Sequence, residues 1–163
     1  MIVTLYCFAL VTSKMPDECR DRLLRTQGYA EQLAAGMLPE TILEDVTDAL
    51  VITDGRLDEP GPTILFANAA FERLTGYDRD ELTGRSPRML QGYDTDRAEL
   101  DRMKQVLRRG EVFEGSVLNY RKSRVEYVVG WTIAPVRDAN GDIRRWISVQ
   151  NDVLAEQRAG RSA

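Results

Sequence analysis

Three consecutive strand-like segments in the C-terminal half constrain the fold of this chain more than any other feature. They run over residues 112–121, 125–136 and 143–153, and turn-forming residues separate them. The Asn140-Gly141 pair between the last two is a strong signal for a tight hairpin, because such turns need backbone conformations that asparagine and glycine adopt readily. The sequence therefore predicts three antiparallel strands in this half.

The N-terminal half predicts shorter elements. Apolar residues recur at helical spacing among charged ones over residues 16–35, which indicates an amphipathic helix. Together with the three C-terminal strands, the elements of this half predict an α+β fold. The other predicted elements are short helices at 39–46, at 69–74 and after an N-cap at Asp78, strands at 49–53 and 63–67, and a longer helix at 94–109.

The composition excludes several classes of function. A chain of 163 residues suits one domain. Its 22 basic and 26 acidic residues interleave and give a net charge of −4, which argues against nucleic-acid binding. The chain contains no histidine, so the usual haem ligand and the phospho-acceptor of a sensor kinase are both missing. We predict no metal site and no catalytic group.

The N-terminal segment gives no sign of membrane insertion. Residues 1–11 are the most apolar stretch, but they are shorter than the roughly 20 residues that span a bilayer and lack the basic start of a signal peptide. Cys7 and Cys19 form neither a disulfide framework nor a four-ligand zinc pattern. These features favour a reducing cytoplasm. Either Met1 or Met15 is the true start of the protein.

Five motifs in consistent order resemble the PAS domain family and, within it, the light-oxygen-voltage (LOV) subgroup. The resemblance covers residues 48–153 and implies a five-stranded antiparallel sheet with short helices on one face and an N-terminal flanking helix. Residues 1–47 are then an N-terminal extension, and residues 154–163 a polar, frayed tail. The motifs are ILFAN at 64–68, FERLTGY at 71–77, GRSPRMLQG at 84–92, LNYRK at 118–122 and SVQNDV at 148–153.

The same resemblance implies candidate ligand-binding residues. In LOV relatives a flavin lies between the helices and the last three strands. Arg88 matches the arginine that contacts the flavin phosphate, and Gln91 the glutamine that contacts the ribityl chain. Asn119 and Gln150 match amides that contact the flavin ring. Alternatively, the two amides bond to each other, to water or to the backbone, because buried amides need partners with or without a ligand.

Four departures from the LOV pattern argue against a flavin. The family motif reads G-R-N-C-R-F-L-Q-G, and its cysteine thiol adds to the flavin after light absorption. Ser86 replaces the asparagine of that motif and Pro87 replaces the cysteine, so thiol chemistry is lost at this site. Val129 takes the place of a second ring-contacting asparagine, and Trp131 adds inward bulk. We therefore expect no cofactor, with FMN disfavoured.

One hairpin departs from the family pattern, and one sheet face is a candidate contact surface. The turn of the first C-terminal hairpin commonly reads K-D-G in relatives, so Lys122-Ser123-Arg124 predicts a longer or less regular turn. Strand alternation makes the outward sheet face largely apolar, which predicts either a cover by residues 17–35 or an interface for a partner or a second copy. The candidate interface residues are Leu118, Tyr120, Val128, Ile147 and Val149.

These features predict a regulator rather than an enzyme. We expect a single-domain PAS protein of bacterial signal transduction that acts by protein–protein interaction, on a PAS-containing sensor histidine kinase or a related two-component protein. Nucleophile, base and metal ligands do not occur together as a catalytic site would require. The alternative is a flavin-binding, LOV-like light or redox sensor that works without a cysteine adduct. A structured blue absorbance band would favour this alternative.

Overall fold

The polypeptide folds as the predicted α+β arrangement, with helices and strands in the expected order. The computed structural model describes residues 17–37 and 39–160. Its elements are α1 (Asp17–Ala34), α2 (Glu40–Glu44), β1 (Ala49–Asp54), β2 (Ile64–Ala67), α3 (Ala69–Thr75), α4 (Arg79–Leu82), a 3₁₀ helix (Pro87–Leu90), α5 (Arg97–Arg108), β3 (Phe113–Tyr120), β4 (Glu126–Arg137), β5 (Ile143–Asp152) and α6 (Val153–Gly160).

Strands β1 to β5 form one antiparallel sheet in the order β2-β1-β5-β4-β3. The predicted hairpin between β4 and β5 is confirmed. Gly141 adopts a φ of 86°, and its N–H donates to the Asp138 carbonyl at 2.9 Å. The connection from β2 to β3 contains α3, α4, the 3₁₀ helix and α5, and it joins the two edges of the sheet. This connection encloses one sheet face.

The turn between β3 and β4 is shorter than we expected. The Arg121 N–H donates to the Val125 carbonyl at 2.9 Å, and the Arg124 N–H donates to the Arg121 carbonyl at 2.8 Å. The expected irregularity is present, because Arg124 adopts a φ of 66°, in the left-handed region that a side chain disfavours. A compact turn therefore forms without the glycine that relatives usually place there.

The two sheet faces carry different layers. Leu50, Ile147 and Val149 lie on one face, which we call the outer face, and pack with Ala30 of α1 and Leu43 of α2. The opposite or inner face carries the alternate residues of the same strands and packs against the connection from β2 to β3. This alternation follows from the two-residue period of a strand.

Helix α1 is fixed to the outer face by a buried arginine. Arg22 is only 7% exposed. Its Nε donates to Thr132 Oγ1 at 3.1 Å, and its guanidinium also bonds Asn151 Oδ1 and lies 3.3 Å from Glu114 Oε1. A Cβ at Gly130 would lie 3.1 Å from Arg22 Nη1, so the glycine leaves room for the guanidinium. The flanking helix is thus joined to three strands by polar contacts.

The C-terminal tail differs from the prediction of a frayed segment. Residues 153–160 form α6, which begins directly after β5. Asp152 Oδ1 accepts hydrogen bonds from the backbone N–H groups of Leu154 and Ala155, both at 3.1 Å. This N-cap satisfies donors that a helix start otherwise leaves unpaired, and a helix follows.

Some of our expectations fall on residues outside the described ranges. Cys7, the apolar stretch at 1–11 and the choice between Met1 and Met15 belong to this group. Across the part of the chain that the structure describes, every helix is too short or too polar to traverse a bilayer.

Candidate functional site

A cavity of about 340 Å³ lies between the inner face and the connection from β2 to β3. This volume falls within the range of roughly 300–1,000 Å³ that is typical of small-molecule sites. Helix α5, the 3₁₀ helix and the loop after β1 complete its walls. The lining residues include Val51, Thr53, Leu57, Glu59, Pro62, Pro87, Arg88, Gln91, Arg97, Leu100, Met103, Lys104, Leu107, Trp131, Ile133, Trp146, Ser148 and Gln150.

Two tryptophans form much of the sheet side of the cavity. Trp131 of β4 and Trp146 of β5 are both buried. The Trp131 ring packs edge-on against Phe113, with ring centroids 6.1 Å apart and an interplanar angle of 71°. This arrangement is the one that aromatic quadrupoles favour. Because the ring packs against Phe113, it forms a wall of the cavity and leaves the central volume open.

Four buried polar atoms of the inner face have no hydrogen-bond partner among the residues described. They are Asn119 Oδ1, the Tyr127 hydroxyl, Trp131 Nε1 and Gln150 Oε1. Gln150 Nε2 donates to Ser148 Oγ at 3.3 Å, so its amide is held at one end only. Unpaired buried polar atoms are costly and uncommon, and each calls for an explanation such as a ligand or water.

The sequence predicted four ligand-binding residues, and the fold brings three of them to the cavity. Arg88, Gln91 and Gln150 line it. Asn119 lies on the same sheet face, directly opposite Tyr127 in the register, but outside the lining. The alternative pairing of Asn119 with Gln150 is not formed, because the carbonyl oxygens of both amides have no partner.

Cationic side chains at the rim of the cavity are paired with exposed acids of the loop after β1. Arg88 forms an ion pair with Glu59 and also donates to the Leu57 carbonyl at 3.2 Å. Lys104 Nζ lies 3.1 Å from Asp58 Oδ1. Hydrogen bonding from Lys104, and then from Arg108, holds the pKa of Asp58 below its ordinary value. The Asp58 carboxylate therefore stays ionised, and Asp58 and Glu59 together occupy cations that a phosphate would also attract.

Sequence reasoning missed part of this rim. Arg97 lines the cavity and donates to Gln91 Oε1 at 3.3 Å and to the Gly92 carbonyl at 3.3 Å. Lys104, one helical turn beyond Leu100, reaches the same cavity from α5. The helical spacing of α5 was visible in the sequence, but its direction relative to the sheet was not.

Ser86 and Pro87 form the start of the 3₁₀ helix. Pro87 occupies its first position, where a missing backbone N–H leaves no bond unmade. Ser86 Oγ accepts from the Arg88 N–H at 3.4 Å. Both departures from the family motif are therefore compatible with the local fold, and Pro87 lines the cavity.

Tyr127 connects the inner face to the start of α6. Burial raises the pKa of Tyr127 from 10.0 to about 12, in spite of opposing effects of Asn119 and Arg121. The Arg121 guanidinium lies 4.4 Å from the ring centroid of Tyr127 and 2.6 Å from Asp152 Oδ2. Asp152 is also the N-cap of α6. A contact chain thus runs from the inner face to the C-terminal helix.

Within the described residues, acids and cysteines form no cluster that would suit a metal ion. Cys19 belongs to α1, on the outer face of the sheet. Burial, followed by a hydrogen bond with Glu114, raises the pKa of its thiol. The sheet therefore separates this cysteine from the cavity.

Comparison with known families identifies the family to which this fold belongs. The PAS domain family matches residues 42–155. The chain belongs to the PAS domain family. Within the family it is similar to LOV domains. One similar structure is described as "Flavin Analogue Sheds Light on Light-Oxygen-Voltage Domain Mechanism". The match covers 81% of this chain and 96% of that chain, with a TM-score of 0.65 and 29% identity.

Two curated relatives of this PAS domain are larger proteins. It is 35% identical over 111 residues to phototropin-2 of Oryza sativa subsp. japonica. The aligned segment covers 68% of this chain and 12% of phototropin-2. It is 38% identical over 107 residues to a blue-light-activated histidine kinase of Brucella canis. Here the aligned segment covers 66% of this chain and 22% of the kinase. The chain therefore spans less than a quarter of either relative.

Our expectation that this PAS domain has no cofactor is wrong. Its relatives include a blue-light-activated kinase and a LOV domain studied with a flavin analogue, and they point to a flavin cofactor. The expectation rested on crowding by Trp131 and on the loss of polar groups at Ser86, Pro87 and Val129. The Trp131 ring instead packs against Phe113, and a cavity of about 340 Å³ remains.

The candidate interface residues lie in three different environments. Ile147 and Val149 are 0% and 1% exposed and pack beneath α1 and α2, so the described fold gives them the intramolecular cover that was one of two expectations. Tyr120 packs against Gly92, and its hydroxyl donates to Asp94 Oδ2 at 3.2 Å. Leu118 and Val128 are opposite each other near the sheet edge and half-buried. An interface role of these five residues stays a prediction.

Proposed function

We propose that this PAS domain binds a flavin nucleotide in the inner-face cavity and acts as a LOV-like light or redox sensor without a cysteine adduct. Its output passes to a partner by protein–protein interaction, and the domain itself catalyses no substrate reaction. The observation that carries this proposal is the set of unpaired buried polar atoms beside a cavity of about 340 Å³.

The inner face provides donors and acceptors for a planar heterocycle. The Gln150 and Asn119 carbonyl oxygens accept hydrogen bonds, and the Tyr127 and Trp131 groups donate them. Because the pKa of Tyr127 is about 12, its hydroxyl is protonated at neutral pH and remains a donor. Apolar side chains of α5 and the sheet form most of the remaining wall, beside the polar side chains of Thr53, Asp101 and Ser148.

The rim of the cavity fits the charged end of a flavin nucleotide. Arg88, Arg97 and Lys104 place three cations beside the cavity. Two of them are paired with Glu59 and Asp58, which are largely exposed and can be released to water. Arg88 and Lys104 would then be available to hold a phosphate, which would be a stronger, dianionic acceptor.

The bound flavin supplies absorption of blue light and reversible electron transfer, and the chain's residues orient and shield it. Adduct formation is excluded at Pro87, which has no nucleophilic atom. Cys19 lies across the sheet from the cavity, so it gives no substitute thiol. The signal therefore depends on changed hydrogen bonds at the inner face.

The relatives support a route for the output. One of them is a histidine kinase, and we propose a sensor kinase or a related two-component protein of the bacterial cytoplasm as the partner. The contact chain from Tyr127 through Arg121 and Asp152 ends at α6, which offers a structural link from cavity to surface. Self-association through α1 or the remaining outer face belongs to the same proposal.

Titration of the purified chain with FMN tests the proposed function. We expect binding that quenches flavin fluorescence and gives a structured blue absorbance band on the protein after gel filtration. Illumination should produce no near-ultraviolet adduct form, because the described residues place no thiol in the cavity lining. Riboflavin provides the matched comparison, since it keeps the ring but has no phosphate for Arg88 and Lys104.

Two results would contradict the proposal. Failure to bind FMN at concentrations up to roughly 1 mM, which corresponds to about 4 kcal/mol of binding free energy, removes the cofactor. A light-induced adduct band that reverses in the dark would show that a thiol reaches the flavin and that the adduct-free mechanism is wrong.

A further inference from the structure

The inner face lacks one polar group where the LOV resemblance expects it. Val129 stands in place of a ring-contacting amide, it is 0% exposed, and its side chain has no hydrogen-bonding group. A flavin ring bound here would leave one of its polar edge atoms without that partner. Trp131 follows two residues later on β4, so its side chain lies on the same sheet face.

Trp131 has a donor that the fold itself does not use. The residue is 6% exposed, it lines the cavity, and its Nε1 is buried without a partner among the described residues. Buried indole N–H groups usually find an acceptor. Gln150 is directly opposite Trp131 in the β4–β5 register, and its Oε1 is also unpaired. A donor and an acceptor therefore stand side by side at the cavity and do not bond to each other.

A ligand with an adjacent acceptor and donor would complement the Trp131 N–H and the Gln150 oxygen. A carbonyl group adjacent to a ring N–H presents one acceptor and one donor, and the isoalloxazine ring carries such an edge. A side-by-side indole N–H and amide oxygen match it with one bond each. Two apolar residues at these positions would leave both edge atoms of the ligand unpaired.

The second tryptophan of the cavity provides an internal contrast. Trp146 is 4% exposed and lines the same cavity. Its Nε1 already donates to the Gly55 carbonyl at 3.4 Å. The two tryptophans thus share burial and location but differ in whether the fold occupies the N–H.

We propose that the indole N–H of Trp131 donates a hydrogen bond to a ring carbonyl of the bound flavin and substitutes for the amide that is missing at Val129. This inference rests on the proposed function, and it names a specificity-determining residue for the same cavity. Trp131, which we first interpreted as an obstacle to flavin, is then the group that positions it.

Nuclear magnetic resonance of the unmodified chain tests the inference directly. The sequence contains only two tryptophans, so the indole region of a nitrogen–proton spectrum holds two signals. Addition of FMN should move the Trp131 Nε1–H signal downfield and slow its exchange with solvent, while the Trp146 signal changes less. Trp131→Phe and Trp146→Phe assign the two signals by removing one each.

The same two variants give an independent affinity test. Trp131→Phe keeps an aromatic ring and removes the N–H, and it should weaken FMN binding by roughly 5- to 30-fold, the factor for one lost hydrogen bond of ordinary strength. Trp146→Phe should weaken FMN binding less than Trp131→Phe does, because the Trp146 N–H already donates to the Gly55 carbonyl. Trp131→Phe combined with Val129→Asn should recover most of the lost affinity, because the amide returns to its expected place.

The outcomes separate the two proposals. If the unmodified chain binds no FMN, the proposed function fails and this inference fails with it. If FMN binds while the Trp131 indole signal and the affinity of Trp131→Phe stay unchanged, the inference is overturned and the flavin-binding function stands.

Discussion

The outer and inner faces of the same sheet treat their buried polar groups differently. On the outer face, the Arg22 guanidinium bonds Thr132, Asn151 and one oxygen of Glu114 within the fold, and only the second oxygen of that carboxylate lacks a partner among the described residues of this network. On the inner face, Trp131 and three other residues have buried polar atoms without partners in the described structure. Strand alternation produces both faces from the same segments, so the difference lies in which residues fill alternate positions.

This difference separates structural polar groups from functional ones. A buried network in which most groups are paired fixes one arrangement of helix and sheet, because each group would be costly to leave unpaired. Buried polar groups without partners lower the stability of the unliganded protein. This penalty is removed when a complementary ligand binds and forms the missing hydrogen bonds. Replacing a buried polar residue by an apolar one should therefore lower the stability on the outer face and raise it on the inner face.

The largest effect is expected for Arg22 of the outer face. Arg22→Met removes three side-chain partnerships and leaves Glu114, whose side chain is 18% exposed, without its cation. Breaking a buried pair in this way costs about 3–5 kcal/mol. Urea denaturation measures this loss as the difference in the free energy of unfolding between the variant and the unmodified chain.

A matched control comes from the same helix. Arg20 is paired with Asp17 at an exposed position, so Arg20→Met should cost less than about 1 kcal/mol. Equal losses for Arg20→Met and Arg22→Met would show that the outer face depends on apolar packing alone.

The second prediction concerns the pH dependence of stability on the inner face. Burial raises the pKa of Tyr127 from 10.0 to about 12. Between these values the unfolded chain has lost the proton and the folded chain keeps it, so the free energy of unfolding falls as pH rises. The contribution is complete below pH 10 and amounts to about 3 kcal/mol when lost.

Comparison with Tyr127→Phe isolates this contribution. The variant should lose less stability between pH 10 and 12 than the unmodified chain, and phenolate absorbance should show one late-titrating tyrosine fewer. Identical curves for the two proteins would mean that Tyr127 titrates as an ordinary phenol and that the inner face is wetter than its burial indicates.

The third prediction compares the effects of replacing two neighbouring amide residues. Gln150 of the inner face has an unpaired oxygen, so Gln150→Leu should raise the free energy of unfolding of the unliganded protein by about 1 kcal/mol. Asn151 of the outer face accepts from Arg22, so Asn151→Leu should lower it by a similar amount. Thermal unfolding without flavin measures both.

Flavin titration extends this test. Gln150→Leu should weaken FMN binding by roughly 5- to 30-fold, while Asn151→Leu should leave the affinity unchanged. Stabilisation combined with weaker binding is the mark of a group held for a ligand. A loss of stability in both variants would contradict the contrast between the two faces.

The smallest effect is expected at the cavity rim. Asp58→Asn with Glu59→Gln removes the acids that occupy Lys104 and Arg88, so FMN affinity should rise by up to about fivefold. Riboflavin affinity should not change, because riboflavin has no phosphate. Glu111→Gln, which breaks an exposed pair with Arg109, is the control. An equal rise for both ligands would place the phosphate elsewhere.

The fold was predictable from the sequence because its signals are local. The hairpin at Asn140-Gly141 and the N-cap at Asp78 each depend on residues within one turn, and both are confirmed. The cap at Asp152 had the same kind of signal, an aspartate before a run of helix formers, and we overlooked it. The resemblance to PAS domains implied that the five strands form one antiparallel sheet with helices on one face, and the structure shows that sheet.

The site was less predictable because its contacts are distant in sequence. Residue types at Arg88, Gln91 and Gln150 indicated the cavity, but the orientation of the Trp131 ring depends on its contact with Phe113. Helical spacing in α5 could not show that Lys104 reaches the cavity. A volume argument from side-chain size alone therefore gave the wrong answer for the cofactor.

The position of Arg22 near the N-terminus sets a time order for folding on the ribosome. Its partners Thr132 and Asn151 lie 110 and 129 residues later in the chain. At a synthesis rate of about 5–20 residues per second, α1 emerges roughly 5–25 seconds before the strands that it covers. During that interval its apolar side, including Leu23 and Ala30, has no sheet to bury against. The nascent chain is therefore exposed to chaperones and to unwanted association until β4 and β5 are made.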